Sequence, residues 1–493
     1  MKLSKANLGH VNAQHIPTSQ VLDAGVGIVH LGFGAFHRAH QALITDTVMK
    51  ELGGNWKIVG VSWGSREMQE ALAPQDFLYT VGVGYNQTLN THVIGAIDKI
   101  LVSAEHEQVL DYMCRPEIKI VSLTVTEKGY CHSPSTGDID LSNPLIAHDL
   151  NNLASPKSAI GFIVSALYQR REKNIPPFTP LSCDNLPENG HVLEKVVHQF
   201  AKAYDESLYS WIKENVRFPC TMVDRIVPRT TDNDLQRVSE SLGAEDKAAV
   251  VTEPFLQWAI EDKFVNDRPQ WEKTSIPHIQ VVEDVVPFED MKLRLLNGTH
   301  SAMAYLGYLS GYETIAETIQ DTQFKTYIRY LMDVEITPSV AIQNVDLEEY
   351  KSLLIDRYTN TALQHRTYQI AMDGSQKIPQ RWLNTIQYNI DNGAVPEGLY
   401  LALAAWIRYV KGVDEHGNSY IVQDPLVETY EKLWRENAED PRALIQAFLA
   451  IDKIFSPAFA QQDCIATAVE KQLINITTNG AKQCVADFVA TLS

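Results

Sequence analysis

No two cysteines of this chain lie close enough to form a C-x-x-C motif. The six (Cys114, Cys131, Cys183, Cys220, Cys464 and Cys484) are scattered over 493 residues. That spacing excludes a disulfide framework and a zinc ribbon, and it fits a reducing compartment. The histidines show neither H-x-x-x-H nor H-E-x-x-H spacing, so no metal site is expected. Positive charge is also short: 42 Lys and Arg stand against 61 Asp and Glu, for a net charge of -19. Such a surface repels nucleic acid and anionic membrane, and neither is expected as a partner. A local basic pocket for a small anion remains compatible with it. The first twenty residues lack an apolar h-region, and no apolar run is long enough to span a bilayer. A cytoplasmic protein is expected. Internal repeats, low-complexity tracts and glycine-serine linkers are missing too.

What is present is an ordinary globular composition, 45% hydrophobic and 21% charged. The length exceeds what one core usually serves, so two domains are expected. Short apolar, β-branched runs such as Gly27–Leu31 (GIVHL), Trp56–Val61 (WKIVGV) and Ile118–Val125 (IKIVSLTV) alternate with helical patterns through roughly the first 280 residues. That alternation predicts a parallel sheet flanked by helices. The stretch 131–156 reads as a long irregular excursion, and 190–214 as one helix. Beyond Glu289 helical periodicity dominates, as in Leu399–Val410 and in Pro441–Phe455 behind an N-cap Asp440. The expected domains are 1–286, of α/β type, and 287–493, mostly α-helical.

Two stretches carry chemistry. Gly32-Phe33-Gly34 follows a strand and opens a helix, the context of a dinucleotide-binding turn. The third glycine of G-x-G-x-x-G is replaced by His37, so the fingerprint is incomplete. The tip of the second strand reads Ser62-Trp63-Gly64-Ser65-Arg66 and holds no acid for a ribose hydroxyl. Arg66 could instead meet a 2′-phosphate, which leaves NADP open beside NAD. Asp184-Asn185 and Glu127-Lys128 follow strands, at positions where open α/β sheets bind ligands.

The second stretch, Pro287–Tyr305 (PFEDMKLRLLNGTHSAMAY), reads as a helix. At about 100° per residue, and with Lys292 at zero, Glu289 falls near about 60°, His300 about 80° and Asn297 about 140°. A lysine can act as a base once burial lowers its pKa, and an asparagine can donate to a developing oxyanion. A plain polar surface would satisfy the same pattern.

Three segments together resemble the polyol-specific long-chain dehydrogenases, the mannitol dehydrogenase family: GFGAFHRAHQ (Gly32–Gln41), FPCTMVDRIVP (Phe218–Pro228) and KLRLLNGTH (Lys292–His300). The resemblance runs over nearly the whole chain. It implies an N-terminal Rossmann-type parallel-sheet domain plus a mostly α-helical C-terminal domain. It also implies NAD-dependent hydride transfer without a metal. Lys292 would be the general acid/base, and Asn185 and Asn297 would hold the reacting oxygen. His300 would position a neighbouring hydroxyl, and Glu289 would relay the proton. Gly32, Phe33, Gly34, Phe36, His37, Arg38 and Asp224 would belong to the cofactor site, with Arg66 as the residue bearing on NADP.

Within the family, SLTVTEKGYC (Ser122–Cys131), SCDNLPENGH (Ser182–His191) and MDGSQKIPQR (Met372–Arg381) are most similar to the branch that interconverts D-mannonate and D-fructuronate. The rivals are a mannitol-type polyol 2-dehydrogenase and, further off, a Schiff-base lyase or a non-catalytic NAD(H)-binding protein. A sugar acid needs a cation for its carboxylate. Lys128, Lys377 and Arg381 are the candidates, with Glu127 near the mouth of the site. The expected partner is a small sugar acid or polyol, and the expected assembly a monomer or small homo-oligomer.

Overall fold

In the computed structural model, which describes residues 1–133, 136–362 and 365–492, the chain divides into two compact units, Met1–Val286 and Pro287–Ser493. The first unit holds all eleven strands found among these residues: β1 (Val26–Leu31), β2 (Lys57–Ser62), β3 (Tyr79–Tyr85), β4 (Thr88–Ile94), β5 (Ile97–Val102), β6 (Ile120–Leu123), β7 (Thr179–Ser182), β8 (Thr221–Asp224), β9 (Val250–Thr252), β10 (Gln257–Glu261) and β11 (Ile279–Val282). Five of them form one sheet in the order β5-β2-β1-β6-β7, and every pairing in it is parallel. The strands are buried on both faces, which is why they read as continuous apolar runs. Successive side chains alternate between two cores. Val29, Leu31, Val59, Val61, Val121 and Leu123 enter one, whereas Ile28, Ile58, Ile100 and Ile120 enter the other.

The chain leaves β1 for β2 on one side and returns to β6 on the other. The loops after β1 and β6 therefore diverge and open a crevice at the carboxyl ends of the strands, the usual ligand position of such sheets. Two smaller sheets were not expected. One joins the hairpin β3–β4 to β9, in the order β4-β3-β9, and the other has the order β11-β10-β8. Two further differences from the sequence reading have local causes. The Asp205 side chain accepts from the Ser207 amide, and this starts a new helix; 190–214 becomes Asn189–Tyr204 and Glu206–Asn215. The excursion 131–156 contains the helix Pro144–Asn151, capped by the Asn143 side chain with Pro144 in the first turn.

The second unit is helical, apart from isolated bridges at Thr314/Arg366 and Val413/Ser419. Its helix Glu397–Tyr409 is buried from Gly398 to Tyr409. The regular helix expected over Pro287–Tyr305 is not what forms. Val286–Met291 is α-helical, Lys292–Gly298 is a π-helix, and Thr299–Leu309 is α-helical again. Leu331–Ile336 and Pro379–Leu383 are π segments as well. Among the described residues, no helix is long and apolar enough to cross a membrane.

Candidate active site

In the first unit a cavity of about 500 Å³ lies at the β1/β6 crevice. Gly32, Phe33, Gly34, Ser62, Ser65, Thr124, Val125 and Lys128 are among the residues that line it. Gly32 has φ +96, and a Cβ there would lie 2.1 Å from the Thr124 carbonyl oxygen, so only glycine fits. A Cβ on Gly34 would meet only the Gly32 carbonyl, at 3.8 Å. The second glycine thus leaves the approach to the backbone open, as a pyrophosphate requires.

The residues that follow point inward. His37, where a third glycine is usual, is fully buried and stacks on His30, with centroids 3.4 Å apart and planes at 13°. His30 bridges Ser122 Oγ (2.8 Å) and Thr124 Oγ1 (2.9 Å). Burial holds both imidazoles well below their usual proton affinity, so the stack is neutral. Arg38 is buried, with its guanidinium donating to the Ala248 carbonyl; it does not line the cavity. Phe36 stacks on His40, at 4.9 Å. Of these expected cofactor residues His37 and Arg38 are therefore buried and Phe36 is half-buried.

Asp224 ends β8, buried and paired in register with Gln257. Its neighbour Arg225 is satisfied by main-chain carbonyls, those of Ala39 and Glu253. Arg66 stands at the β2 tip, half exposed, and its Nη1 lies 3.0 Å from Glu105 Oε1. The loop after β6 carries Glu127 and Lys128, both exposed, on the short helix Thr126–Gly129. Thr126 has φ +63, a strained conformation for a β-branched residue. Asp184 holds it there: its carboxylate accepts from Val125 N (3.1 Å), Thr126 N (2.8 Å) and Tyr130 OH (2.9 Å). Burial pushes the Asp184 carboxyl up against the pull of these three donors. Asn185, next to it, is exposed.

In the second unit Glu289, Lys292 and His300 are buried and Asn297 is half-buried. The π geometry alters their relation. Bonding from i to i+5 brings residues five apart one turn above each other, so Lys292 and Asn297 share a face instead of standing about 140° apart. Three side chains add donors to the carbonyls at the end of this turn, that of Leu296 also accepting from the Thr299 amide. Tyr358 OH donates to Leu296 O (2.8 Å), Arg381 Nη1 to Asn297 O (3.2 Å) and Trp382 Nε1 to Gly298 O (2.9 Å). Arg381 and Trp382 belong to the π segment Pro379–Leu383, so one π turn braces the other.

The His300 ring lies 5.5 Å from that of Tyr358 and 5.6 Å from that of His365. Its Nε2 is buried with no hydrogen-bond partner among the described residues. Burial lowers its proton affinity far below the ordinary value, helped by His365 and by the positive charges of Arg381, Arg357 and Lys377. It is a neutral imidazole with a ring nitrogen free for a hydroxyl. Arg381 also donates to Ser301 Oγ (2.7 Å). Lys377 Nζ donates to Met372 O (2.6 Å) and Ile370 O (3.2 Å), and burial together with Arg381 pushes its pKa down to about 8.

Among the described residues, one set of possible metal ligands comes together elsewhere: His191, Cys220 and Glu261, with ligand atoms within 4.8 Å of one another. The Glu261 carboxylate there is held by the Cys220 amide and by Lys263.

A glycine turn at the switch point of a parallel sheet, and a buried Lys-Asn-His turn in a helical unit, are the parts of a nucleotide-dependent dehydrogenase that works on alcohol and carbonyl groups. The chain belongs to the mannitol dehydrogenase family: residues 26–273 match the mannitol dehydrogenase Rossmann domain and residues 284–477 the mannitol dehydrogenase C-terminal domain. It is accordingly an oxidoreductase acting on CH–OH groups, with the α/β and helical domains that the resemblance implied. D-mannonate oxidoreductase of Escherichia coli (strain K12) is 47% identical over 466 residues, covering 93% of this chain and 95% of that protein. Mannitol dehydrogenase 2 of Saccharomyces cerevisiae is 38% identical, covering 90% of this chain and 88% of that protein. The solved Pseudomonas fluorescens mannitol 2-dehydrogenase, a ternary complex with NAD and D-mannitol, superposes with a TM-score of 0.82 at 40% identity, covering 99% of this chain and 100% of that one.

Proposed function

We propose that this chain interconverts D-mannonate and D-fructuronate, with NAD as hydride carrier and Lys292 as general acid/base. The observation that carries the sugar-acid reading is the set of cations around His300. Arg381, Arg357 and Lys377 all bear on this one buried imidazole, and a site with such a field suits an anionic substrate. The likeness to D-mannonate oxidoreductase supports the same reading.

Gly32, Phe33 and Gly34 fit a dinucleotide, because the turn is open to a pyrophosphate where a side chain would obstruct it. NAD, when bound, supplies or accepts the hydride. The chain's own residues handle the rest. Lys292 gives its proton to the carbonyl oxygen during reduction and takes it back during oxidation. Asn297, on the same face of the π turn, donates to that oxygen as charge grows on it. His300, neutral, holds a neighbouring hydroxyl through its free ring nitrogen. Glu289 exchanges the lysine's proton with solvent. Lys377 and Arg381 attract the carboxylate, and Lys128 lines the nucleotide cavity.

A mannitol-type polyol 2-dehydrogenase is the second reading, favoured by the likeness to a structure holding NAD and D-mannitol. Absorbance of NADH and of NADPH, followed separately with fructuronate, tagaturonate and fructose, decides between them. Fructuronate should be reduced far more efficiently than fructose; the reverse order would establish the polyol reading.

A further inference from the structure

The β2 tip of dinucleotide-binding sheets meets the adenosine ribose. An acid there takes the 2′-hydroxyl, and an arginine there accommodates a 2′-phosphate. This chain has the arginine in sequence and the acid in space. Arg66 follows Ser65, a cavity-lining residue, and Glu105 comes from the turn after the neighbouring strand β5. Arg66 Nη1 lies 3.0 Å from Glu105 Oε1 and 2.9 Å from Gln69 Oε1. The second carboxylate oxygen of Glu105 accepts from Val102 N (3.0 Å) and Gln69 Nε2 (3.2 Å), and Gln69 Nε2 also donates to the Ile100 carbonyl (3.0 Å). The acid is thus anchored to strand β5 and does not simply follow the arginine. Although burial alone would raise its proton affinity, the Val102 amide, Arg66 and Gln69 bring the carboxyl below its usual range, so it is charged at neutral pH.

An exposed ion pair of this kind adds little stability, and its place beside the cavity suggests another use. We propose that Glu105 sets the cofactor preference of this protein by withholding Arg66 from a 2′-phosphate, so that the unphosphorylated dinucleotide is selected. This rests on the reading of the cavity as the NAD site. A dianionic 2′-phosphate would have to draw Arg66 off Glu105 and then lie close to the bare carboxylate. Both steps oppose NADP, and neither touches NAD.

Glu105→Gln removes the charge and keeps the shape and an acceptor oxygen. The test compares wild type, E105Q, R66Q and the double variant E105Q/R66Q by fluorescence titration with NADH and with NADPH, alongside kcat/KM for each. In E105Q, the affinity for NADPH relative to NADH should rise by about tenfold, the scale of one charge-assisted contact. The gain should vanish in E105Q/R66Q, because Arg66 provides it. An unchanged ratio in an E105Q protein that binds NADH normally overturns this inference alone. So does a gain that persists without Arg66. A wild-type chain that binds neither nucleotide overturns the inference together with the NAD reading beneath it.

Discussion

Tyr358→Phe probes the π turn with the least disturbance, since it removes one oxygen and leaves the ring. That oxygen donates to the Leu296 carbonyl at 2.8 Å and meets Thr299 Oγ1 at 2.9 Å. Both Tyr358 and Leu296 are 4% exposed, so water does not readily replace the lost donor. The Leu296 carbonyl keeps the Thr299 amide, so what is lost is one buried hydrogen bond, about 0.5–1.5 kcal/mol. Thr299 Oγ1 offsets little of this. It is 3.4 Å from the same oxygen and already donates to the Leu295 carbonyl at 2.6 Å. The loss should therefore appear as a lower urea midpoint with an unchanged slope. The effect on rate follows from geometry. Relaxation toward a regular α-helix would turn Asn297 away from Lys292, and a displacement of about 1 Å at a positioned group can cost about 100-fold. In steady-state assays kcat should fall by roughly 10- to 100-fold, while NADH affinity stays at the wild-type value because the glycine turn belongs to the other unit. A stability loss with an unaltered kcat would show that the π geometry does not position the catalytic groups. An unaltered midpoint would show that the Tyr358 hydrogen bond contributes nothing.

Two further outcomes are expected. Asp184→Asn places an NH₂ where the carboxylate accepts from two amides and a phenol, so the strained Thr126 turn should loosen. NADH should bind about tenfold more weakly, and stability should drop by about 1–3 kcal/mol, as read by titration and urea unfolding. Lys377→Met should lower kcat/KM for fructuronate by about 100-fold and leave fructose nearly unaffected. In the wild type, Lys377 is cationic below its pKa of about 8 and neutral above it. Attraction for a carboxylate is therefore present at lower pH and fades as pH rises through about 8. Profiles of kcat/KM, which report the free enzyme, should fall over that range for fructuronate more steeply than for fructose.

The parts of the site that could be read from sequence are those whose signal is local. Gly32 was identifiable because a strand, a tight turn and a helix follow one another within a few residues. The parallel sheet was legible because β-branched runs buried on both faces need no partner to be recognised. Lys292, Asn297 and His300 were legible as a set, yet their relation was not: a constant 100° per residue is the α-helical period, and nothing in KLRLLNGTH announces i to i+5 bonding. The donors that sustain the π turn come from Tyr358, Arg381 and Trp382, some 60 to 85 positions on. The partner of Arg66 is likewise 39 residues away, so the arginine that could meet a 2′-phosphate is held by an acid that sequence could not place beside it. The resemblance groups His37 and Arg38 with the cofactor because they sit in the motif, and their burial is not announced by it. The β3–β4 hairpin escaped notice because Gly82 and Gly84 dilute its alternation.

The central assignment, Lys292 as the group that moves the proton, is tested most directly by Lys292→Ala assayed for nucleotide binding and for turnover in one preparation. Removal of a general acid/base should cost about 100- to 10,000-fold in turnover of fructuronate, with NADH bound as tightly as by the wild type. A variant that binds NADH and still reduces fructuronate at the wild-type rate would contradict it.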